Sequence, residues 1–122
     1  MGTFRVGCRI ENVGDRTRGA RIAGVLVDTG SERTWIAEET LQRIGVAEEK
    51  KDVPFIMANG QQVTRSMGFA VIRVDQFFTV DEVVFARKGD LALLGARTLE
   101  GLNLLVDSTR KKLVGAGPHP AA

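Results

Sequence analysis

The sequence contains few of the residues on which nucleophilic and metal chemistry depend. Among its 122 residues are one cysteine, Cys8, and one histidine, His119. A single thiol excludes an intramolecular disulfide and a zinc cluster built on thiolates. A Ser-His or Cys-His nucleophile pair would have to use His119, which lies in a tail rich in glycine and proline. We therefore expect no metal, no cofactor and no histidine-activated nucleophile.

The sequence also lacks a long apolar run and a strong net charge. No run approaches the length of a membrane span, and no secretory signal is visible. The formal net charge is only +2, and the basic residues are dispersed among acidic ones, so a nucleic-acid footprint is not indicated. We expect a cytoplasmic protein that binds neither nucleic acid nor a membrane.

The composition that remains is that of an ordinary globular protein, with 43% hydrophobic and 26% charged residues. The length suits one domain. We predict this domain over residues 1–114. A flexible C-terminal tail is predicted over residues 115–122, where Pro118 and Pro120 occur.

Strand patterns dominate the chain. A nearly unbroken apolar run at residues 21–28 predicts a strand covered on both faces. The other predicted strands are residues 4–10, 33–36, 53–57, 62–64, 68–75, 77–86, 104–106 and 112–114. Because these strands do not alternate regularly with long helices, a parallel α/β sheet is disfavoured. We predict an all-β fold with a closed or nearly closed sheet.

Two short helical segments interrupt the strands. Residues 38–44 have helical spacing, with Ala37, Leu41 and Ile44 able to share a face and Gly45 placed to end the helix. A further helical turn or two is predicted at residues 97–101. We therefore expect one or two short helices.

An ionisable carboxylate ends the apolar run of residues 21–28, in the segment Asp28-Thr29-Gly30-Ser31. A purely structural role would explain it, since Asp caps turns and Gly accepts a positive φ. About thirty residues later comes Ala58-Asn59-Gly60-Gln61, in which Asn-Gly is a strong hairpin signal. After a similar interval follows a second apolar run, residues 91–95, which ends in glycine.

This combination resembles the retropepsin-like aspartic proteases, the single-lobed relatives of pepsin found in retroviruses, retrotransposons and many bacteria. The resemblance extends from about residue 4 to residue 114, and the helix at residues 38–44 makes the chain more similar to the bacterial and retrotransposon branches. It implies a closed β-barrel, a flap hairpin over residues 53–70 and a homodimer. Ala96 departs from the retroviral pattern, which usually has Arg at that place to help join the subunits.

The resemblance also implies roles for single residues. Asp28 would be catalytic, Thr29 would bond across the two-fold axis to the partner's loop, and Gly30 would allow the tight turn. The resemblance places Ser31 where its hydroxyl would bond the outer oxygen of Asp28. The second apolar run would pack next to the active-site loop. An extended peptide or protein substrate would contact Ser31, Trp35, Met57, Ala58, Asn59, Gly60 and Leu93.

The chemistry of such a site explains why a second copy of the chain is needed. Two carboxylates that share one proton can hydrolyse a peptide, because one takes a proton from water while the other donates to the carbonyl oxygen. The sequence holds a single Asp-Thr-Gly, so the second acid must come from a second copy, across a two-fold axis.

Two other functions remain open. The chain could be a non-catalytic retropepsin-like module that binds a peptide or forms a dimer. It could also be a general β-barrel domain in which Asp28 only caps a turn. The leading hypothesis is a homodimeric aspartic endopeptidase.

Overall fold

Strands account for most of the chain. A computed structural model describes residues 3–121, and within them the chain forms nine strands and two short helices. In chain order they are β1 (Phe4–Glu11), β2 (Gly19–Val27), β3 (Thr34–Ala37), α1 (Glu38–Arg43), β4 (Lys50–Ile56), β5 (Gln62–Val74), β6 (Phe77–Ala86), β7 (Leu93–Leu94), α2 (Ala96–Leu102), β8 (Leu104–Asp107) and β9 (Lys112–Gly115). The predictions of a mostly β chain and of two short helices are confirmed.

Seven of the strands form one sheet in the order β1-β2-β7-β3-β6-β5-β4, and β8 and β9 form a separate hairpin. Most neighbours are antiparallel, but β2 pairs with β7 and β3 pairs with β6 in parallel. β1 also pairs with β5, where Arg9 lies opposite Arg73 and Glu11 lies opposite Val71. This extra pairing joins one end of the strand series to the strand next to its other end.

The core lies between these strands and the two helices. Ile10, Val25, Ile36, Ile72 and Leu94 are fully buried in it. A second apolar cluster is formed by Trp35, Met67, Val84, Ala86 and Leu93. Burial of apolar side chains from separate strands stabilises the fold, at roughly 25 cal/mol for each Å² removed from water.

Cys8 is one of these core residues. Its side chain is buried in β1, and burial raises the pKa of the thiol to about 12. A thiol of that pKa is almost wholly protonated at neutral pH, and only the thiolate is a good nucleophile. The single cysteine therefore packs as a small apolar residue.

The prediction for β2 is wrong in one respect, because the strand is not covered on both faces. Arg21, Ala23 and Gly24 are exposed. β7 pairs with β2 only at Leu26 and Val27, so it does not pair with the first half of β2. Ala23 and Gly24 made the run look apolar, but a methyl group and a hydrogen atom supply little area to bury.

The long strand β5 and the short helix α1 also differ from expectation in detail. β5 runs without a break from Gln62 to Val74, where two separate strands were predicted. Asp75 was predicted to end the second of these, but it has a φ of +52° and lies in the turn to β6. The predicted helix over residues 38–44 ends one residue earlier, at Arg43. Leu41 and Ile44 are both buried, as suits one shared face, whereas Ala37 is exposed and belongs to β3.

The segment that follows β7, from α2 to residue 121, lies outside the main sheet. β9 ends at Gly115, and the residues from 116 to 121 are exposed and form no strand. Asn103 holds the start of this segment, since its carbonyl accepts from Ala116 N and its amide donates to Gly117 O. Residues 1, 2 and 122, which belong to the predicted domain and tail, lie outside the described part. Neither helix between residues 3 and 121 has the length and apolar character to cross a membrane.

Candidate active site

Asp28 directly follows β2 and is half-buried. Its N–H donates to Leu94 O at 3.0 Å, which continues the parallel pairing of β2 with β7. Its Oδ1 accepts from Gly30 N at 2.9 Å, and its carbonyl accepts from Ser31 N at 3.2 Å. The chain therefore turns sharply after the strand, and the carboxylate is oriented by an N–H two residues ahead.

Ser31 does not make the hydrogen bond that the resemblance implied. Its hydroxyl donates to Arg33 O at 3.0 Å rather than to Asp28. Gly30 N supplies the hydrogen bond to the Asp28 carboxylate, while the Ser31 side chain bonds onward along the loop. The hydroxyl thus stabilises the loop and does not touch the acid.

The loop from Asp28 to Arg33 rests against the end of the second apolar run. Gly95 approaches it so closely that a Cβ there would lie 2.3 Å from Arg33 O and 2.8 Å from Ser31 O. Ala96 N donates to Ser31 O at 2.8 Å. The contact between the run and the loop, which the resemblance implied, is therefore present.

A buried chain of hydrogen bonds fixes this arrangement from behind. Gly95 N donates to Thr34 Oγ1 at 2.9 Å, Thr34 and Thr98 share a hydrogen bond between their hydroxyls, and Thr98 Oγ1 donates to Asp81 Oδ2 at 2.9 Å. Both threonines are fully buried. Because buried polar groups are costly when unpaired, this series ties the run to β3, α2 and β6 at once.

The hairpin of β4 and β5 reaches its tip at the predicted Asn-Gly. Met57 O accepts from Gly60 N, and Met57 N donates to Gln61 O, both at 2.8 Å. Gly60 has a φ of +85°, whereas Asn59 is not among the residues with positive φ. This is the pattern of a three-residue loop, with glycine in the left-handed position, rather than a two-residue type I′ turn.

A cleft of about 610 Å³ lies between this hairpin and the Asp28 loop. The candidate residues that line it are Asp28, Gly30, Ser31, Trp35, Met57, Ala58 and Leu93. Thr29 is exposed and instead lines a second cavity of about 280 Å³, which it shares with Asp28, Gly30, Phe4 and Val106 among others. Asn59 and Gly60 are exposed at the hairpin tip, where Asn59 Oδ1 accepts from Gln61 N.

Sequence reasoning missed much of the cleft's lining. The added residues are Glu32, Arg33, Phe55, Ile56, Gly89, Asp90 and Leu91. Phe55 is half-buried and packs edge-on against Trp35, with ring centroids 5.2 Å apart. Ile56 is 77% exposed and Leu91 is 62% exposed. A large apolar residue next to an expected hairpin tip, where side chains are normally exposed, is the sequence signal that could have identified Ile56.

Charged side chains connect the base of the hairpin to the Asp28 loop. Glu82 on β6 lies 3.0 Å from Arg33 Nη1 and 2.7 Å from Lys50 Nζ. The hydrogen bond from Lys50 is the main cause that holds the pKa of Glu82 below its usual value, with Arg33 adding to it. Among residues 3–121, no three His, Cys, Asp or Glu side chains converge as metal ligands would.

Comparison with known protein families also indicates an aspartyl protease. Residues 18–101 match the family described as "gag-polyprotein putative aspartyl protease". The chain belongs to this family. No curated protein matches the sequence.

The aspartyl protease match covers the segments that form the cleft. It includes the Asp28 loop, the β4–β5 hairpin and the run that ends in Gly95. The suspected kinship with retropepsin-like aspartic proteases is thereby confirmed. β1, β8 and β9 lie outside the matched residues.

Proposed function

We propose that the protein is a homodimeric aspartic endopeptidase with one Asp28 from each subunit at its active site. The observation that carries the proposal is the position of Asp28 in an aspartyl protease chain. Its carboxylate accepts a hydrogen bond from Gly30 N, and Asp28 lines a cleft that is also lined by the β4–β5 hairpin. We further propose that the sheet closes into the barrel of this fold.

The dimer follows from the chemistry and the sequence together. One carboxylate takes a proton from the attacking water while the other donates to the carbonyl oxygen of the substrate. Two carboxylates that are close enough to act on one water share a single proton, because both cannot be ionised so close together. Since the chain has a single Asp-Thr-Gly, a two-fold axis must bring the second acid. The exposure of Thr29 beside Asp28 suits a contact across that axis.

The substrate in this proposal is an extended peptide. The β4–β5 hairpin acts as the flap and supplies main-chain hydrogen bonds, while alternate substrate side chains enter pockets. Met57 and Ala58 contact the peptide from the flap, and Trp35 and Leu93 line the opposite wall. Asn59 and Gly60 shape the flap tip. The cleft volume of about 610 Å³ is within the range of sites that hold a small ligand or a few residues of a peptide.

The test is cleavage of a diverse peptide library from about pH 3 to pH 7. We expect the native protein to cleave and Asp28→Asn to lose at least about 100-fold in rate, because it removes a general acid–base group. The matched control is Asp75→Asn, an exposed turn residue with positive φ, where Asn is well tolerated. This variant should keep full activity.

The same experiment tests the second subunit. An excess of Asp28→Asn subunits added to the native protein should suppress cleavage, because mixed dimers hold one acid only. A well-folded dimer that cleaves no peptide in this range would contradict the proposal and favour a non-catalytic binding module. Full activity in Asp28→Asn would show that this residue only caps a turn.

A further inference from the structure

One ion pair joins the β4–β5 hairpin to the turn that forms another wall of the cleft. Arg65 on β5 donates Nε to Asp90 Oδ2 at 2.8 Å and Nη2 to Asp90 Oδ1 at 2.9 Å. The side chains are only 12% and 8% exposed. Two parallel hydrogen bonds between a guanidinium and a carboxylate form the most directional ion pair that proteins make.

Each partner is also fixed to its own backbone. Asp90 Oδ2 accepts from Arg87 N at 2.8 Å, and Asp90 N donates to Arg87 O at 2.9 Å, so the same carboxylate holds the turn of residues 87–90 in shape. Arg65 Nη1 donates to Thr64 O at 2.8 Å. Gly89 completes the turn with a φ of +95°. The pair therefore connects two segments that are each locally rigid.

Both of these segments contribute residues to the lining of the cleft. Gly89, Asp90 and Leu91 line it on the side of the turn, and residues 55–58 line it on the side of the hairpin. Arg65 lies opposite Val53 in the β4–β5 pairing, just below the residues that line the cleft. Leu91, which is 62% exposed, follows Asp90 directly. The ion pair thus joins two segments of the cleft lining directly beside Leu91.

We propose that the Arg65–Asp90 pair is a positioning device that fixes the width of the cleft and restrains the opening of the hairpin. Neither residue touches the reacting atoms. They act through Leu91 on one wall and through the hairpin arm on the other. The role in peptide binding rests on the proposed peptidase function, whereas the restraint on the hairpin does not.

The electrostatic setting supports a strong restraint. The side-chain hydrogen bond from Arg65 is the main cause that holds the pKa of Asp90 below its usual value, and the hydrogen bond from Arg87 N adds to it. A part-buried, doubly hydrogen-bonded pair is screened by salt far less than a surface pair. The restraint should therefore depend little on ionic strength.

The test uses Arg65→Gln, Asp90→Asn and the double variant. For a peptide that spans the cleft, each single change should raise KM about tenfold and change kcat less than about threefold, because binding geometry is lost and the acids remain. Since both changes break one pair, the double variant should be no worse than the poorer single variant. Arg65→Lys keeps the charge but not the two-pronged geometry, so it should recover only part of the loss.

The matched control is Arg73→Gln on the same strand. Arg73 pairs with Glu11 at 3.3 Å, on the part of β5 that pairs with β1. It is absent from the cleft lining that the structure describes. If Arg73→Gln raised KM as much as Asp90→Asn, general loss of stability would explain the effect and the proposal would fail. Effects of the two cleft variants that multiply in the double variant would overturn it as well.

Amide hydrogen exchange of the substrate-free protein gives a second measurement. In Arg65→Gln and Asp90→Asn, the amides of Met57 and Gly60 at the hairpin tip should exchange about tenfold faster, and in Arg73→Gln they should not. Unchanged exchange in both cleft variants would overturn the restraint. A native protein that cleaves no peptide would refute the peptidase function, and the exchange rates would still decide the restraint.

Discussion

At the scale of single residues, Gly95 permits the close contact that supports the loop after Asp28. The glycine has an ordinary φ of −93°, so its backbone conformation does not require glycine. The need comes from space, because the position of a Cβ would overlap the carbonyl oxygens of Arg33 and Ser31. Those oxygens belong to the loop that holds Asp28, and a backbone atom cannot move aside as a flexible side chain can.

The first prediction follows from this contact. Gly95→Ala should lower the free energy of unfolding by about 1–3 kcal/mol, since it overfills a packed site against fixed backbone. It should also displace the Asp28 loop. Peptidase activity should therefore fall by more than the loss of folded protein accounts for. Urea unfolding and cleavage assays measure the two effects.

The control for Gly95→Ala is Gly115→Ala, at the end of β9. A Cβ at Gly115 meets nothing within 4 Å, and the φ is not positive. This change should leave stability the same or slightly higher, because alanine loses less backbone entropy on folding. If the two variants were equally stable, the close approach at Gly95 would be of no consequence.

Sequence reasoning at this scale succeeds where the signal is contiguous. Asp28, Thr29 and Gly30 stand together in the chain, so the candidate acid could be found without a structure. Trp35 and Leu93 were also placed at the cleft that the structure describes. Asp90 could not be found, because its function depends on Arg65, which lies 25 positions away, and charged residues in a turn normally face water.

At the scale of elements, hairpins were predicted best because local turn chemistry specifies them. The bounds of β6 agree with the prediction, and the Asn-Gly tip lies where it was expected. The missed features depend on distant neighbours. β5 continues through Arg65 and Ser66 because it pairs with β4 and β6 along its length. The first half of β2 is exposed because of the order of the strands in the sheet, and that order cannot be predicted from a single sequence.

The ion pairs of β6 lead to the second prediction, on pH. Lys50 and Arg33 hold the pKa of Glu82 low, and the side chain of Glu82 is only 13% exposed. A carboxyl whose pKa is lowered by folding stabilises the protein above its unfolded pKa, about 4.3. That contribution is lost as pH falls through the lower folded value.

Glu82→Gln should therefore reduce stability at pH 7 by about 1–2 kcal/mol, as expected for lost hydrogen bonds to a charged group. The difference from the native protein should shrink as pH falls below about 4.3, the unfolded pKa, because the carboxyl of the unfolded chain takes up a proton before that of the folded protein does. Urea unfolding from pH 7 to pH 3 measures it. Glu48→Gln, in the exposed loop before β4, is the control. A difference that stays constant over this range would contradict the assignment.

At the scale of the whole molecule, the proposed dimer would place the smaller cavity beside the subunit interface. This cavity opens beside Asp28, Thr29 and Gly30 and is bordered by Phe4 and, from the β8–β9 hairpin, by Val106 and Ser108. A two-fold axis that brings two Asp28 side chains together must pass close to them. In the proposed dimer the residues around the cavity would lie near the partner subunit, so Phe4 and the β8–β9 hairpin would border the interface.

The third prediction uses this position. Ser108 is exposed in the turn between β8 and β9, so a larger side chain there should not disturb the fold of the subunit. Ser108→Arg would put a cation at the edge of the cavity in each subunit, and like charges brought together in an interface cost several kcal/mol. We expect the dimer to dissociate at protein concentrations at least tenfold higher than for the native protein. Light scattering over a dilution series measures it.

The control is Thr109→Arg, which adds the same charge in the same turn, to a residue that does not line the cavity in the described structure. It should leave the dimer intact. Activity should fall with the dimer fraction in Ser108→Arg and recover at high protein concentration, since assembly follows mass action. Circular dichroism should show an unchanged β-sheet content in both variants. A Ser108→Arg protein that stays dimeric at every concentration would contradict the placement of this cavity beside the dimer interface.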